Sequence, residues 1–524
     1  MERAMPRATR RRFLGRMGAS AGLLSLAGCA GHIAGTRMAF PLGVASGYPG
    51  PEGIVLWTRL APEPLAPDGT GGMPDRAVSV VWEIAEDPRF ERVVRRGDAL
   101  AEARWAHSLH VEVAGLRPGR DYWYRFLFEG QSSAVGHART APAPDTAPER
   151  LRFAHASCQH YEQGWFTAHR HMAAEDLDLV AFLGDYIYES SWGRVHVRRH
   201  GARAPETLAE YRVRHALYRA DPDLQACHAA HAWIVTWDDH EVQNDYAADR
   251  SERLWSRARF LALRAAAYRV FYEHMPLPEA MQPRGPNMAI HTRLDWGTLA
   301  RFHILDDRQY RSYQVCPKPA RGGSNLVGSY CGERFDPELT MLGAAQEAWL
   351  DAGFASSRAR WNVLAQQTLF APLAQPGMRG QTQHWTDAWD GYPAARQRLV
   401  DAMVTRRLSN PLIVGGDVHA CYAADILAEP AEGRGAVVAS EICGTSITSQ
   451  GPGEIAVQSR LRLNPHLRYA NGEDRGYVTT TLSAREARAE LRAVESVKWQ
   501  DAPIATRASF AIEAGRPGVQ IVQA

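Results

Sequence analysis

Leu177-Asp-Leu-Val-Ala-Phe-Leu-Gly-Asp185-Tyr-Ile-Tyr188-Glu189 is a short apolar run that stops at a glycine and then presents an acid, a phenol and a second acid. An apolar stretch of this length closed by Gly reads as a buried strand ending in a tight turn. Three other stretches have the same shape: Leu151-Arg-Phe-Ala-His-Ala-Ser-Cys158, Ala232-Trp-Ile-Val-Thr-Trp-Asp238-Asp239-His240-Glu241 and Pro411-Leu-Ile-Val-Gly-Gly-Asp417-Val-His419. In α/β sheets, ligands collect at the carboxyl ends of the strands. Four such ends carrying thiol, carboxylate, phenol and imidazole groups predict one dinuclear metal centre in an α/β domain.

Each element also has a plainer reading. Asp185 on a strand-end turn can bridge two cations, one through each oxygen, and Tyr188 can reach one of them; alternatively it is a surface Asp beside two core tyrosines. Asp238, Asp239, Glu241 and Asn244 offer oxygen donors, which hard cations prefer, and His240 suits a softer metal or a phosphate and its proton. The same acids could decorate a helix N-terminus. Asp417 and His419, two apart, face one side. Cys158 is a thiolate ligand or a small buried hydrophobe.

Further out, Gly53–Thr58, Val78–Ile84, His107–Val113 and Asp121–Phe128 read as strands, with the Gly115-Leu-Arg-Pro-Gly119 turn before the last. This spacing suits a β-sandwich over residues 38–140. Ala141-Pro-Ala-Pro-Asp-Thr-Ala-Pro148 makes 141–150 a stiff linker, and residues 151–524 alternate strands and helices as an α/β domain. Helices are expected at Gly164–Ala174, after the Thr207-Leu-Ala-Glu210 capping box, after Asp221-Pro222, over Ser251–His274 and around Gln346–Leu350, with a strand at Trp361–Ala365.

Residues 1–35 read as an export signal. Thr9-Arg-Arg-Arg-Phe-Leu14 resembles the twin-arginine pattern, and the weakly apolar segment after it is too short and Gly-rich to span a bilayer. Leu26-Ala-Gly-Cys29 resembles a lipobox that would make Cys29 a lipid anchor; the alternative is ordinary cleavage, for example after Ala30. A periplasmic or cell-surface location follows. Net charge is +2 over 524 residues, with 45% hydrophobic and 23% charged content. This suits a soluble globular protein and gives no nucleic-acid footprint. Of seven cysteines, Cys316 and Cys331 flank a Gly/Pro/Ser-rich loop that an oxidising compartment could close by a disulfide, and Cys227 reads as core.

The order Ser-Cys158, Gly-Asp185-Tyr-Ile-Tyr188-Glu, Asp-Asp239-His240-Glu-Val and Gly-Gly-Asp417-Val-His419 resembles the PhoD-like alkaline phosphatase/phosphodiesterase family, similar in core to calcineurin-like metallophosphoesterases. Leu305-Asp-Asp-Arg-Gln-Tyr-Arg311, Thr340–Leu350, Trp389-Asp-Gly-Tyr392 and Asn464-Pro-His466 extend the resemblance over the mature chain. It implies a four-layer αββα metallophosphoesterase sandwich carrying an N-terminal fibronectin type III-like domain. It also implies an iron(III)–calcium centre at which a metal-bound hydroxide attacks phosphate esters, diesters or phospholipids among them. Matching the motif, Cys158, Asp185, Tyr188 and His419 would hold iron (Fe3+). Asp185 would bridge to calcium (Ca2+), completed by Asp239, Asn244 and Asp417. Spacing does not decide between Asp238 and Asp239; Asp239 is chosen because it precedes His240 as the amide does in the related Gly-Asn-His-Glu motif. His240 would meet the phosphate; Arg308 is a second candidate for it, the plainer reading of a single Arg after a strand being a surface residue or a structural ion pair. The rivals are a phospholipase D-type phosphodiesterase and a catalytically inactive surface-binding protein. Asp307, where the family commonly has Thr, and Cys421, close after the last motif, are departures that bear on substrate preference.

Overall fold

The four apolar runs become strands because their side chains alternate between two buried faces. In Leu179–Leu183, Leu179, Ala181 and Leu183 point to one hydrophobic layer and Val180 and Phe182 to another. The computed structural model describes residues 38–377 and 380–524; the twin-arginine pattern, the lipobox and Cys29 lie outside them.

Arg150–Ala156, Leu179–Leu183 and Ala232–Thr236 are adjacent parallel strands at the centre of a ten-stranded sheet. Pro411–Gly415 lies in a seven-stranded sheet, parallel to Trp361–Ala365 and Arg434–Cys443. The sheets face each other through a core that joins Phe153, Ala181 and Ile234 to Phe302, Val363 and Val414. Helices Thr167–Ala173, Leu208–Arg219, Pro222–Ala230 and Arg257–His274 cover the outer face of the first sheet. Gly343–Ser356, Pro393–Thr405 and Glu454–Leu463 cover that of the second. The result is the expected αββα layering.

Helix starts follow local chemistry. Thr207 and Glu210 form a reciprocal capping box, and Asp221 caps Pro222–Ala230 with Pro at its first position. The long helix expected from Ser251 begins only at Arg257. Ser256 caps it, while the Ser251 hydroxyl is taken by Gln243 in the preceding turns. No helix starts at Asp238–Glu241, which is a turn.

The N-terminal strands form two layers. Val44–Gly47, Gly53–Arg59 and Ser108–Ala114 pack through Ile54, Leu56 and Val111 onto Val80, Ile84 and Phe126 of a five-stranded sheet. Val44–Gly47 also pairs in parallel with Ala232–Thr236, so this sandwich continues directly into the ten-stranded sheet. Residues 141–150 therefore do not hold two bodies apart: Ala141 is buried and its N–H bonds to the Gly50 carbonyl. Four strands from Arg475 to Gln523, not anticipated from the sequence, extend the same sheet beyond Arg150–Ala156. Among the described residues no helix is long and apolar enough to cross a membrane.

Candidate metal centre

The three central strands of one sheet end beside Pro411–Gly415 of the other, and their turns meet. Glycine makes this approach feasible. A Cβ on Gly184 (φ 101°) would fall 2.5 Å from the Cβ of Asp238, and one on Gly416 would fall 2.1 Å from the Ser157 hydroxyl. The residues presented by these turns are themselves strained. Cys158, Asp185, Asp417 and His419 all have φ between 51° and 64°. Left-handed backbone at a non-glycine costs about 1–3 kcal/mol and gathers at functional sites.

Asp185 is the hub. Its Oδ2 accepts from the Tyr188 hydroxyl at 2.8 Å, and its Oδ1 lies 3.4 Å from the His240 amide. The Tyr188 oxygen is 3.1 Å from His419 Nε2 and accepts from Ser449. His419 Nδ1 donates to the Gln450 carbonyl at 2.9 Å, which orients the ring and leaves Nε2 facing the site. Cys158, Asp185 and His419 place donor atoms within 4.8 Å of one another; so do Asp185, Asp238 and Asp417, and Asp185, Asp239 and His240. Asp417 Oδ2 is held by Thr368 at 2.7 Å. Asn244 gives its Nδ2 to Glu252 at 3.2 Å, so its Oδ1 is the atom left for a cation. The two aspartates left open by spacing differ in setting. Asp239 lines the cavity, whereas Asp238 lies behind it against Arg308.

The electrostatics favour cations. Asp239 Oδ1 and Asp238 Oδ2 are buried without a hydrogen-bond partner. Burial, reinforced by neighbouring carboxylates, pushes Asp238 up to about 8 and Asp245 and Asp417 up to about 7. It raises Asp185 well above the carboxylate range for the same reasons. Burial raises Asp239 too, but Arg308 and His240 outweigh it and hold that group low. Burial and nearby anions keep the Cys158 thiol and the Tyr188 phenol protonated. Asp239 apart, burial favours the protonated form of these acid donors, and cations would displace those protons. The residues therefore fit a metal centre.

Two imidazoles at the site differ in charge. Burial drives His419 down to about 3, leaving it the neutral form a metal ligand requires. Burial also disfavours charge on His240, but Glu189, 2.6 Å from Nδ1, together with Asp239 and Asp185 raises it well above the usual range.

Five residues not singled out in the sequence position the rest. The Glu241 carboxylate, one of several possible oxygen donors in the sequence, accepts from the backbone amides of Asp185, Tyr186 and Asp238, tying two strand-end turns together. Glu189 follows Tyr188 in the quoted motif and holds His240 as well as the Asn244 amide at 3.2 Å. Asp387 lies just before the Trp389–Tyr392 segment and pairs with Arg308 and Arg311. Ser449 and Gln450, in a Gly/Ser/Thr-rich loop, carried no sequence signal.

Arg308 requires a correction. It is fully buried, its Nε binds Asp238 and its two terminal nitrogens bind Asp387 at 3.0 and 2.7 Å. It is not among the cavity-lining residues. With its donors committed to acids, it holds those acids in place instead of meeting a phosphate. Asp307 and Cys421 are likewise buried away from the cavity.

The cavity has a volume of about 530 Å³. One part is lined by Asp185, Asp239, His240, Asn244, Asp417 and His419; elsewhere Leu326, Leu369, Leu373 and Trp385 line it. Cys316 and Cys331 are joined across 15 residues, closing the loop that carries Leu326. By the chain-entropy account a loop of this size adds about 3 kcal/mol. The same loop brings Ser324 onto Asp245. Cys227 is core.

Comparison with known proteins follows the same outline. The family model for PhoD-like phosphatase matches residues 153–491, and that for the PhoD-like phosphatase N-terminal domain matches residues 27–142. Alkaline phosphatase D of Bacillus subtilis (strain 168) is 43% identical over 493 residues, which cover 92% of this chain and 82% of that protein. A solved structure of PhoD superposes with a TM-score of 0.88 at 42% identity, over 93% of each chain. Matched by these family models over both parts of the chain and by relatives over nearly its full length, the chain belongs to the PhoD-like phosphatase family and is a phosphoric ester hydrolase.

Proposed function

We propose that this hydrolase is an exported alkaline phosphatase/phosphodiesterase built around an iron(III)–calcium pair. The observation that carries the proposal is the position of Asp185, which shares one 4.8 Å neighbourhood with Cys158 and His419 and another with Asp238 and Asp417. Thiolate, phenolate and imidazole suit iron, so Cys158, Tyr188, His419 and one oxygen of Asp185 would hold it. Oxygen donors suit calcium, so Asp239, Asn244, Asp417 and the other Asp185 oxygen would hold that ion. When bound, the cations supply Lewis acidity to the phosphoryl oxygens and to a water at the site.

The chain's own residues do the rest. Glu189 keeps His240 charged and turned to the cavity, where it can give a proton to the departing alcohol oxygen. Arg308 keeps Asp238 and Asp387 fixed behind the ligands and holds Asp387 ionised. Glu241 fixes the two turns, so the donors arrive already placed.

Elemental analysis and the visible spectrum test the metal assignment. Thiolate and phenolate bound to iron(III) give ligand-to-metal charge transfer, so the active protein should be coloured. The band should shift in Tyr188→Phe. A colourless, iron-free preparation with full turnover would remove iron from the reading. Diesters of the phospholipase D type are a second reading, favoured by the apolar wall of Leu326, Leu373 and Trp385. Parallel assays on 4-nitrophenyl phosphate and bis(4-nitrophenyl) phosphate rank the two.

The twin-arginine pattern supports export through that machinery, with Cys29 as a lipid anchor. Replacing Arg10 and Arg11 together by Lys should leave the enzyme in the cytoplasmic fraction. Unchanged periplasmic activity would rule out this route.

A further inference from the structure

The cavity is larger than a phosphoryl group needs, and part of its wall bears no metal-type donor. Leu326 and Trp385 pair across a two-stranded ladder, and both line the cavity with Leu373. Helix Glu454–Leu463 supplies a cation there, Arg460.

A basic residue in the last turn of a helix is ordinarily explained by the helix dipole. Arg462, in the same turn, is exposed and fits that explanation. Arg460 is half-buried and lines the cavity, whereas Arg462 does not line it. Among the described residues its side chain makes one hydrogen bond, from Nη1 to the Tyr422 hydroxyl at 3.4 Å, and no ion pair. Asp390, another acid of the cavity lining, is already held by Arg396 at 2.8 Å and by the Leu373 amide. A guanidinium presents five donors in a planar fork suited to carboxylate or phosphate. Here almost all of them are unused, beside an apolar wall.

We propose that Arg460 with Leu326, Leu373 and Trp385 forms a subsite for the alcohol portion of the substrate. It would take phosphate esters whose alcohol is apolar next to the reacting oxygen and bears a second anionic group further out. This rests on the acidic part of the cavity being the phosphate-ester site. Arg460 is a specificity residue and takes no part in breaking the ester bond.

The test compares phenyl phosphate with 4-carboxyphenyl phosphate and 4-(phosphonomethyl)phenyl phosphate in the metal-loaded parent, Arg460→Ala, Arg460→Gln and Arg460→Lys. The intrinsic reactivity of each leaving group cancels when each variant is compared with the parent. Hydrogen bonds to a charged group predict that the kcat/KM ratio of charged to uncharged ester falls roughly 10- to 100-fold in the Ala and Gln variants. The fall should lie mainly in KM, with partial recovery in Arg460→Lys. The larger of the two falls identifies carboxylate or phosphate as the preferred anion. A ratio unchanged from the parent would overturn the subsite, as would an equal loss on all three esters, which would mean that Arg460 meets the reacting phosphate or only supports its helix. If the parent hydrolyses none of the esters, the phosphate-ester reading fails on its own. The subsite is then judged by calorimetric binding of 4-carboxyphenylphosphonate against phenylphosphonate, with the same ratio expected to fall.

Discussion

Asp185→Asn should abolish metal loading and turnover together while the far-UV circular dichroism stays near native. The substitution keeps the shape of the side chain and still lets an oxygen accept from Tyr188, but it removes the anion shared by both donor groups. Loss of an outer partner of a metal ligand commonly costs 10- to 100-fold, so removing the bridging ligand should cost at least roughly 100-fold. The fold should survive. In the metal-free protein Asp185 is a buried acid among acids, its charged form disfavoured by burial and by Asp238, Asp239 and Glu241, and a neutral amide relieves that. Metal content by elemental analysis and melting by circular dichroism check both halves. Normal turnover with stoichiometric metal would remove the bridging role.

The second large effect belongs to His240. Its ring lies close enough to Asp185 and Asp239 to be read as a ligand, while its pairing with Glu189 marks it as a proton carrier facing the cavity. Proximity alone does not separate these roles; chemistry does. A positioned acid or base is worth roughly 100- to 10,000-fold. His240→Ala should therefore lose activity in that range while keeping stoichiometric iron and calcium. The loss should be larger for alkyl esters, whose alkoxide needs a proton on departure, than for nitrophenyl esters. Metal lost along with activity would make His240 a ligand. An equal loss on both ester types would leave it a phosphate clamp only. Glu189→Gln should mimic the pattern in weaker form, because it removes the charge that keeps His240 protonated.

The sequence carried most of the centre because its information is local. A strand of five residues, a glycine and a donor at the turn are all encoded within about ten positions, as in Leu179–Asp185. The helix caps at Thr207 and Asp221 are local in the same way. What sequence could not show is long-range pairing. Arg308 has the composition of a phosphate contact, but its partners Asp238 and Asp387 lie 70 and 79 residues away, and only the fold reveals that its donors are spent. Glu241 sits inside a quoted motif, yet its role depends on amides at Asp185 and Tyr186, more than fifty positions earlier. Arg475–Ser483 carries three consecutive threonines, which blur the alternation of a buried strand. Its position was set by pairing with Arg150–Ala156, across more than three hundred residues.

That last pairing also orders events in time. During synthesis Arg150–Ala156 emerges early and soon gains Leu179–Leu183 on one side. Its other neighbour, Arg475–Ser483, is made more than three hundred residues later. Until then the strand leading to Cys158 is an open edge, able to pair with the wrong partner, and contacts over such a separation form slowly. A chain made only as far as residue 474 would thus carry all the proposed metal donors while the first sheet still lacked every strand beyond Arg150–Ala156.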